Sequence, residues 1–149
     1  MEIIVNLEAT PTELFDLFFE SLKFDIKKAT GDEPADHDVK SGFSYEKMLT
    51  GKLGSGAMAN ATISRLEAPF VYEMTYKSSK GVNVVSYTIE EVDEKNIKIT
   101  YVENYQGNKK MDDLNFKVMN FLFKRSSEKR IKMLLEAMGR HILENRTAN

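Results

Sequence analysis

Residues 70–105 read FVYEMTYKSSKGVNVVSYTIEEVDEKNIKITYVENY, and this stretch decides the fold. Apolar and polar side chains alternate along three successive segments, which polar turns at 79–81 and 93–96 separate. Because neighbouring side chains of a β-strand point to opposite faces, the alternation predicts three antiparallel strands with one buried and one solvated face. The predicted inward residues are Phe70, Tyr72, Met74, Tyr76, Val85, Tyr87, Ile89, Ile97, Ile99 and Tyr101.

The same alternation occurs upstream and predicts strands over Glu2–Glu8, Phe43–Leu49 and Ala57–Glu67. The inward residues of the third of these strands are small, because they include Ala57, Ala59 and Ala61. Two explanations fit a row of small side chains beside bulky tyrosines. One is a cavity, and the other is a helix that packs closely against the sheet.

Two helices are predicted outside the strands. The first begins at a capping box, Thr10-Pro11-Thr12-Glu13, and ends at Gly31, with a possible break over 21–24 that would leave two short helices. The second begins at Asp112 or Asp113 and runs to about Leu143. Its apolar stripe changes side across the polar interval 124–130, which predicts a kink or break near Ser126.

Length and composition indicate one globular domain, residues 1–149, because 42% of the residues are hydrophobic. The absence of cysteine excludes disulfides, thiolate metal sites and cysteine nucleophiles. The N-terminus lacks the pattern of a secretory signal, and no apolar run approaches the roughly 20 residues of a membrane span. We therefore expect a cytoplasmic protein. The basic C-terminal segment fits a solvated helix face better than a nucleic-acid site.

Two polar segments contain residue types that bind ligands in other settings. The loop 32–38 is rich in aspartate and glutamate, but its spacing matches no calcium loop, so we expect no metal there. Gly51, Gly54 and Gly56 follow the order G-x-x-G-x-G, which favours a hairpin turn over a phosphate-binding loop. No cofactor motif is present elsewhere in the sequence, and we expect no cofactor.

Glu103 continues the inward series beyond Tyr101 and places a carboxylate where an apolar residue is expected. Either it lies at a frayed strand end and reaches water, which is the favoured interpretation, or it faces a cavity as a weak catalytic candidate. All six tyrosines also fall on the inward face, although buried phenols need hydrogen-bond partners. A partly wet pocket would satisfy them, as would positions at the sheet edges.

The order of elements and the phrase Ala9-Thr10-Pro11-Thr12-Glu13-Leu14-Phe15-Asp16-Leu17 after the first strand resemble the START-like or birch-pollen-allergen-like (SRPBCC) superfamily. The segments at 42–45 and 86–90 look most like an uncharacterised branch from Gram-positive bacteria. The resemblance implies an α+β helix-grip fold. In that fold a curved antiparallel sheet of about six or seven strands wraps a long C-terminal helix, with one or two short helices after the first strand. It also implies an apolar cavity between the sheet and that helix.

Three functions follow from this interpretation. The leading hypothesis is a binder of a small apolar or amphipathic molecule, with no catalysis. The alternatives are an interaction module, including a possible homodimer, and a cyclase-like or hydrolase-like enzyme that uses Glu103 as general acid or base. The predicted ligand-binding residues are Tyr45, Tyr72, Tyr76, Tyr87, Tyr101, Glu103, Met119 and Phe123.

Overall fold

A computed structural model of the chain describes residues 1–49, 57–107 and 113–147. For residue 57 and residues 113–126 the description covers the backbone alone. The hairpin turn predicted around Gly54 therefore lies outside the described residues.

Six antiparallel strands form one sheet in the order β1-β6-β5-β4-β3-β2. A helix, α1, follows the first strand, and a longer one, α2, follows the last. The predicted α+β helix-grip architecture, in which the sheet curves around a long C-terminal helix, is confirmed. The elements are β1 (Glu2–Glu8), α1 (Pro11–Thr30), β2 (Ser44–Leu49), β3 (Ala57–Glu67), β4 (Val71–Ser78), β5 (Gly81–Glu91), β6 (Asn96–Gly107) and α2 (Asp113–Thr147).

Helix α1 begins at the predicted capping box. The Thr10 hydroxyl accepts a hydrogen bond from the Glu13 amide (3.2 Å), and the Thr10 amide donates to Glu13 Oε1 (2.9 Å). Gly31 ends the helix with φ 84°, a left-handed conformation that glycine adopts without strain. The possible break over 21–24 is wrong, because the 20 residues of α1 form one helix. Its buried face includes Leu22, inside that interval, and Ile26, just beyond it.

Helix α2 also runs without interruption, so a break near Ser126 is wrong, while the alternative of a kink there stays a prediction. Ser127 is buried beside Ile131 and Leu135, and the packing of this face holds a helix that local sequence alone would interrupt. Further along, Gly139 allows α2 to approach β1 closely. A Cβ atom added there would lie only 3.0 Å from Leu7 Cδ2.

The buried side chains form two clusters on the side of the sheet that the helices cover, which we call the concave face. The first joins β1, β5 and β6 to α1 and to the C-terminal half of α2; the second joins the C-terminal half of α1 to β2, β3 and β4. Ala61 lies in the second cluster with Leu22 and Ile26, which supports close helix packing as the reason for a small residue there. Phe70, predicted to face inward, is instead 47% exposed in the turn before β4.

Candidate functional site

Three of the predicted tyrosines meet at the centre of the concave face. Tyr72, Tyr87 and Tyr101 are direct cross-strand neighbours on β4, β5 and β6. Phe18 of α1 covers two of them, with ring centroids 5.6 Å from Tyr72 and 4.6 Å from Tyr87. We call these four residues the aromatic cluster. The predicted partners on α2, Met119 and Phe123, have side chains outside the described residues.

Glu103 lies next to the aromatic cluster and is half-buried. Its carboxylate accepts hydrogen bonds from Asn83 Nδ2 (2.9 Å) and from the Tyr101 hydroxyl (3.1 Å). The favoured interpretation of a frayed strand end is wrong, because β6 continues to Gly107 and Glu103 pairs with Val85 on β5. On its other side, the Glu103 amide donates to the Met1 carbonyl (2.9 Å).

Several polar groups near Glu103 have unused hydrogen-bonding capacity. The Asn83 side-chain oxygen is fully buried and has no partner in the structure as described. Among the described residues, the hydroxyls of Tyr72, Tyr76 and Tyr87 have no hydrogen-bond partner either, but none of these oxygens is fully buried. A buried polar group without a partner costs about 1–3 kcal/mol, so such groups occur preferentially where a ligand or water completes them.

A second polar group connects α1 to the edge strand β2. Asp25 accepts a hydrogen bond from the Tyr45 hydroxyl (2.5 Å) and pairs with Lys47 Nζ at 2.8 Å. The Lys47 ammonium also lies 5.8 Å from the ring centroid of Tyr76. Tyr45 therefore has a structural partner, unlike the hydroxyls of Tyr72, Tyr76 and Tyr87 among the described residues.

Sequence reasoning missed Asp25 and Asn83, although both carried a positional signal. Asp25 lies three residues after Leu22 and seven after Phe18, which places it on the buried face of α1. Asn83 lies two residues before Val85 and therefore shares the inward side of β5. In each case a polar residue occupies a position of the apolar series, as Glu103 does on β6.

Burial raises the pKa of all five predicted tyrosines, and a nearby carboxylate, Asp25 or Glu103, adds to the effect in each of them. For Tyr76, burial followed by the charges of Asp25 and Glu103 raises the pKa to about 12. Burial is also the main cause of the raised pKa of Tyr72, Tyr87 and Tyr101. At neutral pH these phenols are uncharged, and they act as hydrogen-bonding groups.

A groove of about 410 Å³ opens between α1 and the C-terminal half of α2. Its walls are mostly apolar, and Tyr87 is the residue of the sheet that lines it. Since Tyr87 contacts both Tyr72 and Tyr101, the groove adjoins the aromatic cluster. The lining residues are Leu17, Phe18, Ser21, Tyr87, Leu134, Ala137, Met138 and His141.

Residues 1–124 match the family described as a domain of unknown function, DUF3284. The chain belongs to the DUF3284 family. No sequence among the curated proteins matches it. Within the part of the chain that the structure describes, no helix has the length and apolarity to cross a bilayer.

Solved structures similar to this DUF3284 protein share its fold at low sequence identity. They include Mll3558 from Rhizobium loti, at 14% identity and TM-score 0.61 with 94% of each chain covered. TTHA0849 from Thermus thermophilus is 9% identical with TM-score 0.61, and Ara h 8.0201 is 13% identical with TM-score 0.56; each comparison covers 97% of both chains. Ara h 8 is a birch-pollen-allergen-like (Bet v 1-like) protein, so the similarity supports that fold for this chain and shows nothing more.

Proposed function

We propose that this protein is a START-like domain comprising residues 1–149 that binds a small, largely apolar molecule with a few polar groups, without transforming it. The ligand occupies the space between the concave face, α1 and α2. One observation carries the proposal: an apolar groove between the helices ends at Tyr87, beside tyrosine hydroxyls that have no partner among the described residues.

The dimensions and chemistry of the groove support a small-molecule ligand. Its volume falls within the range of about 300–1,000 Å³ that is typical of ligand sites, which are apolar with a few convergent polar groups. Leu134 and Met138 provide an apolar wall, while Ser21 and His141 bring polar atoms to the same groove. An amphipathic molecule matches this combination better than a purely hydrocarbon one.

The predicted site residues have distinct roles in this proposal. Tyr87 contacts the ligand where the groove meets the sheet, and Tyr72 and Tyr101 support the Tyr87 ring. Glu103 and Tyr76 bind the polar groups of the ligand. Tyr45 contributes indirectly, because its hydroxyl is committed to Asp25. Met119 and Phe123 remain predicted contacts from α2.

Native mass spectrometry of the protein purified from its own host tests the proposal, with extraction and identification of anything bound. A stoichiometric small molecule is the expected result. Ala137→Phe adds a ring inside the groove and should remove the bound molecule, whereas Lys132→Phe adds the same ring to an exposed position of α2 outside the groove and should not. Equal occupancy of the two variants would show that the groove is not the site.

The hydrogen bond between Tyr101 and Glu103 favours a second candidate function, in which Glu103 acts as general acid or base on a bound substrate. Incubation of the isolated ligand with the protein separates the two functions. An unchanged ligand mass supports binding alone. Turnover that Glu103→Gln abolishes while ligand occupancy persists supports the enzyme.

The proposal places the protein in the cytoplasm of a Gram-positive bacterium, without a nucleic-acid partner. A homodimer remains a prediction, and so does an interaction module without a small ligand. Sedimentation velocity of the purified protein tests the first. Co-purification with another chain in place of a small molecule would support the second.

A further inference from the structure

We infer that the polar end of the ligand is a cation, an ammonium group that the Glu103 carboxylate holds. This inference rests on the proposed function, because it concerns the polar end of the same site. It goes further, since it selects one class among amphipathic molecules: those with a positively charged nitrogen next to an apolar body.

Two cations lie near this end of the concave face, the Met1 ammonium and Arg130, whose charge partly offsets the raised pKa of Tyr101. Among the described residues, Glu103 forms no ion pair, and its two partners, Asn83 and Tyr101, are neutral donors. The Met1 ammonium donates to the backbone carbonyl of Glu103 (3.0 Å) and not to its carboxylate. A cationic ligand would give this carboxylate an ion-pair partner at a half-buried position, where opposite charges attract more strongly than in open water.

Asp25 shows the contrast within the same protein. It is the other carboxylate close enough to Tyr76 to raise the pKa of that phenol, and Lys47 pairs with it at 2.8 Å. The carboxylate at the α1 end of the site therefore has its cation within the chain. Among the described residues, Glu103 pairs with no cation, so the ligand would supply one.

The distribution of donors and acceptors around Glu103 agrees with a cation. Both neutral donors next to the carboxylate are already used, because Asn83 Nδ2 and the Tyr101 hydroxyl donate to it. The remaining capacity that a ligand can reach consists of the carboxylate oxygens and of tyrosine hydroxyls, since the acceptor Asn83 Oδ1 is completely buried. An ammonium group supplies up to three donors and no acceptor, which is complementary to this set.

The aromatic cluster favours the same choice. The charge of Glu103 contributes to the raised pKa of Tyr87. The phenol and the carboxylate therefore lie in one electrostatic environment. Tyrosine rings attract cations through their negative faces, by roughly 0.5–2 kcal/mol depending on solvent access. An anionic head group would face Glu103 itself at this position and would be repelled.

Three amphiphiles that share one tail test the inference: decylamine, decanol and decanoate, measured by isothermal titration calorimetry at neutral pH, in low salt and below their micelle concentrations. We expect decylammonium to bind about tenfold or more tightly than decanoate, with decanol between them. Glu103→Gln should bring the affinities for decylammonium and decanoate within about threefold of each other. Glu73→Gln, an equal change of charge on the opposite face of β4, should leave the preference intact.

The outcomes separate this inference from the proposed function. If all three amphiphiles bind with equal affinity, or decanoate binds best, the inference of a cationic ligand is wrong and the binding function stands. If none binds, the inference is wrong, and the proposed function is then decided by native mass spectrometry of the two groove variants. A second measurement needs no variant: the affinity for decylammonium should fall as salt is added while that for decanol stays constant, and the same salt response for both would overturn the inference.

Discussion

The two ends of the concave face are built from the same strands and have opposite chemistry. Along β6 the inward residues change from Ile97 and Ile99 to Tyr101 and Glu103. The first pair is completely buried in the hydrophobic core, and we call this region the dry end. The second pair belongs to the region around Glu103, Asn83 and Tyr76, which we call the polar end. The comparison shows that one strand contributes to the apolar core at one end and presents polar groups at the other.

The covering elements explain the difference. Helix α2 packs on β1 at the dry end, where Leu135 is completely buried and Gly139 allows contact with Leu7. Helix α1 covers the centre with Phe18 and reaches the polar end with Asp25. Stability should therefore depend most on the dry end, while the polar end tolerates polar groups whose partners are incomplete.

The largest expected effect is at the dry end. Leu135→Ala should lower the free energy of unfolding by about 3 kcal/mol, because it leaves a cavity in a fully buried site. Leu134→Ala is the matched control on the same helix. Leu134 is 49% exposed in the groove wall, so its loss should cost less than about 1 kcal/mol while weakening ligand binding. Urea denaturation of both variants provides the measurement, and equal losses would contradict the assignment of Leu135 to the core and of Leu134 to the groove wall.

The next effect concerns Asp25, which joins α1 to β2 beside the polar end. Asp25→Ala should cost about 1–2 kcal/mol, because it leaves the buried Tyr45 hydroxyl without an acceptor and Lys47 without its partner. Asp16→Ala, at an exposed position of the same helix, should cost less than about 0.5 kcal/mol. A double-mutant cycle with Tyr45→Phe should show a favourable coupling free energy; additive losses would mean that the hydrogen bond contributes nothing.

A smaller, pH-dependent effect comes from an ion pair that joins the two helices at the dry end. Arg146 near the end of α2 binds Glu13 of the capping box, and this hydrogen bond is the main cause that lowers the pKa of Glu13 from 4.5 to about 2. Because the pKa is lower in the folded state, the stabilisation is complete above about pH 4.5 and is lost as the pH falls towards 2.

Glu13→Gln should therefore lower the unfolding free energy by about 1 kcal/mol at neutral pH and reduce its decrease in acid. Arg146→Gln should reduce the acid dependence in the same way, since it removes the main cause of the lowered pKa. Chemical denaturation across this pH range compares the variants. An unchanged acid dependence in both would show that other carboxylates dominate it.

Local patterns were sufficient to predict most of the fold. The period of two in β4 to β6 and the capping box at Thr10 are signals that neighbouring residues determine by themselves. The two predicted helix breaks were wrong for the opposite reason. Leu22 and Ile26 of α1, like Ile131 and Leu135 of α2, are held by packing against distant parts of the chain, which no local pattern records.

The candidate site was predictable in position but not in its contacts. The alternation placed Glu103 and all six tyrosines on the inward face, which is wrong for Tyr105, because it is 58% exposed. Which of them have partners depends on contacts between elements: Tyr45 reaches Asp25 across 20 residues of sequence, and Glu103 reaches Asn83 across another 20. The groove is less predictable still, because its walls come from two helices far apart in the chain.

The smallest expected effect on stability is at the centre of the polar end. Tyr76→Phe removes a hydroxyl that has no hydrogen-bond partner among the described residues, so it should change the free energy of unfolding by less than about 0.5 kcal/mol. Tyr45→Phe, which removes a hydroxyl bound to Asp25, should cost more. The same Tyr76→Phe variant should bind the amphipathic ligand less tightly, because in the parent protein this hydroxyl would form a hydrogen bond with the ligand. The opposite result would be a Tyr76→Phe variant that loses as much stability as Tyr45→Phe and binds the ligand as the parent does. It would show that this hydroxyl stabilises the fold and does not contact the ligand.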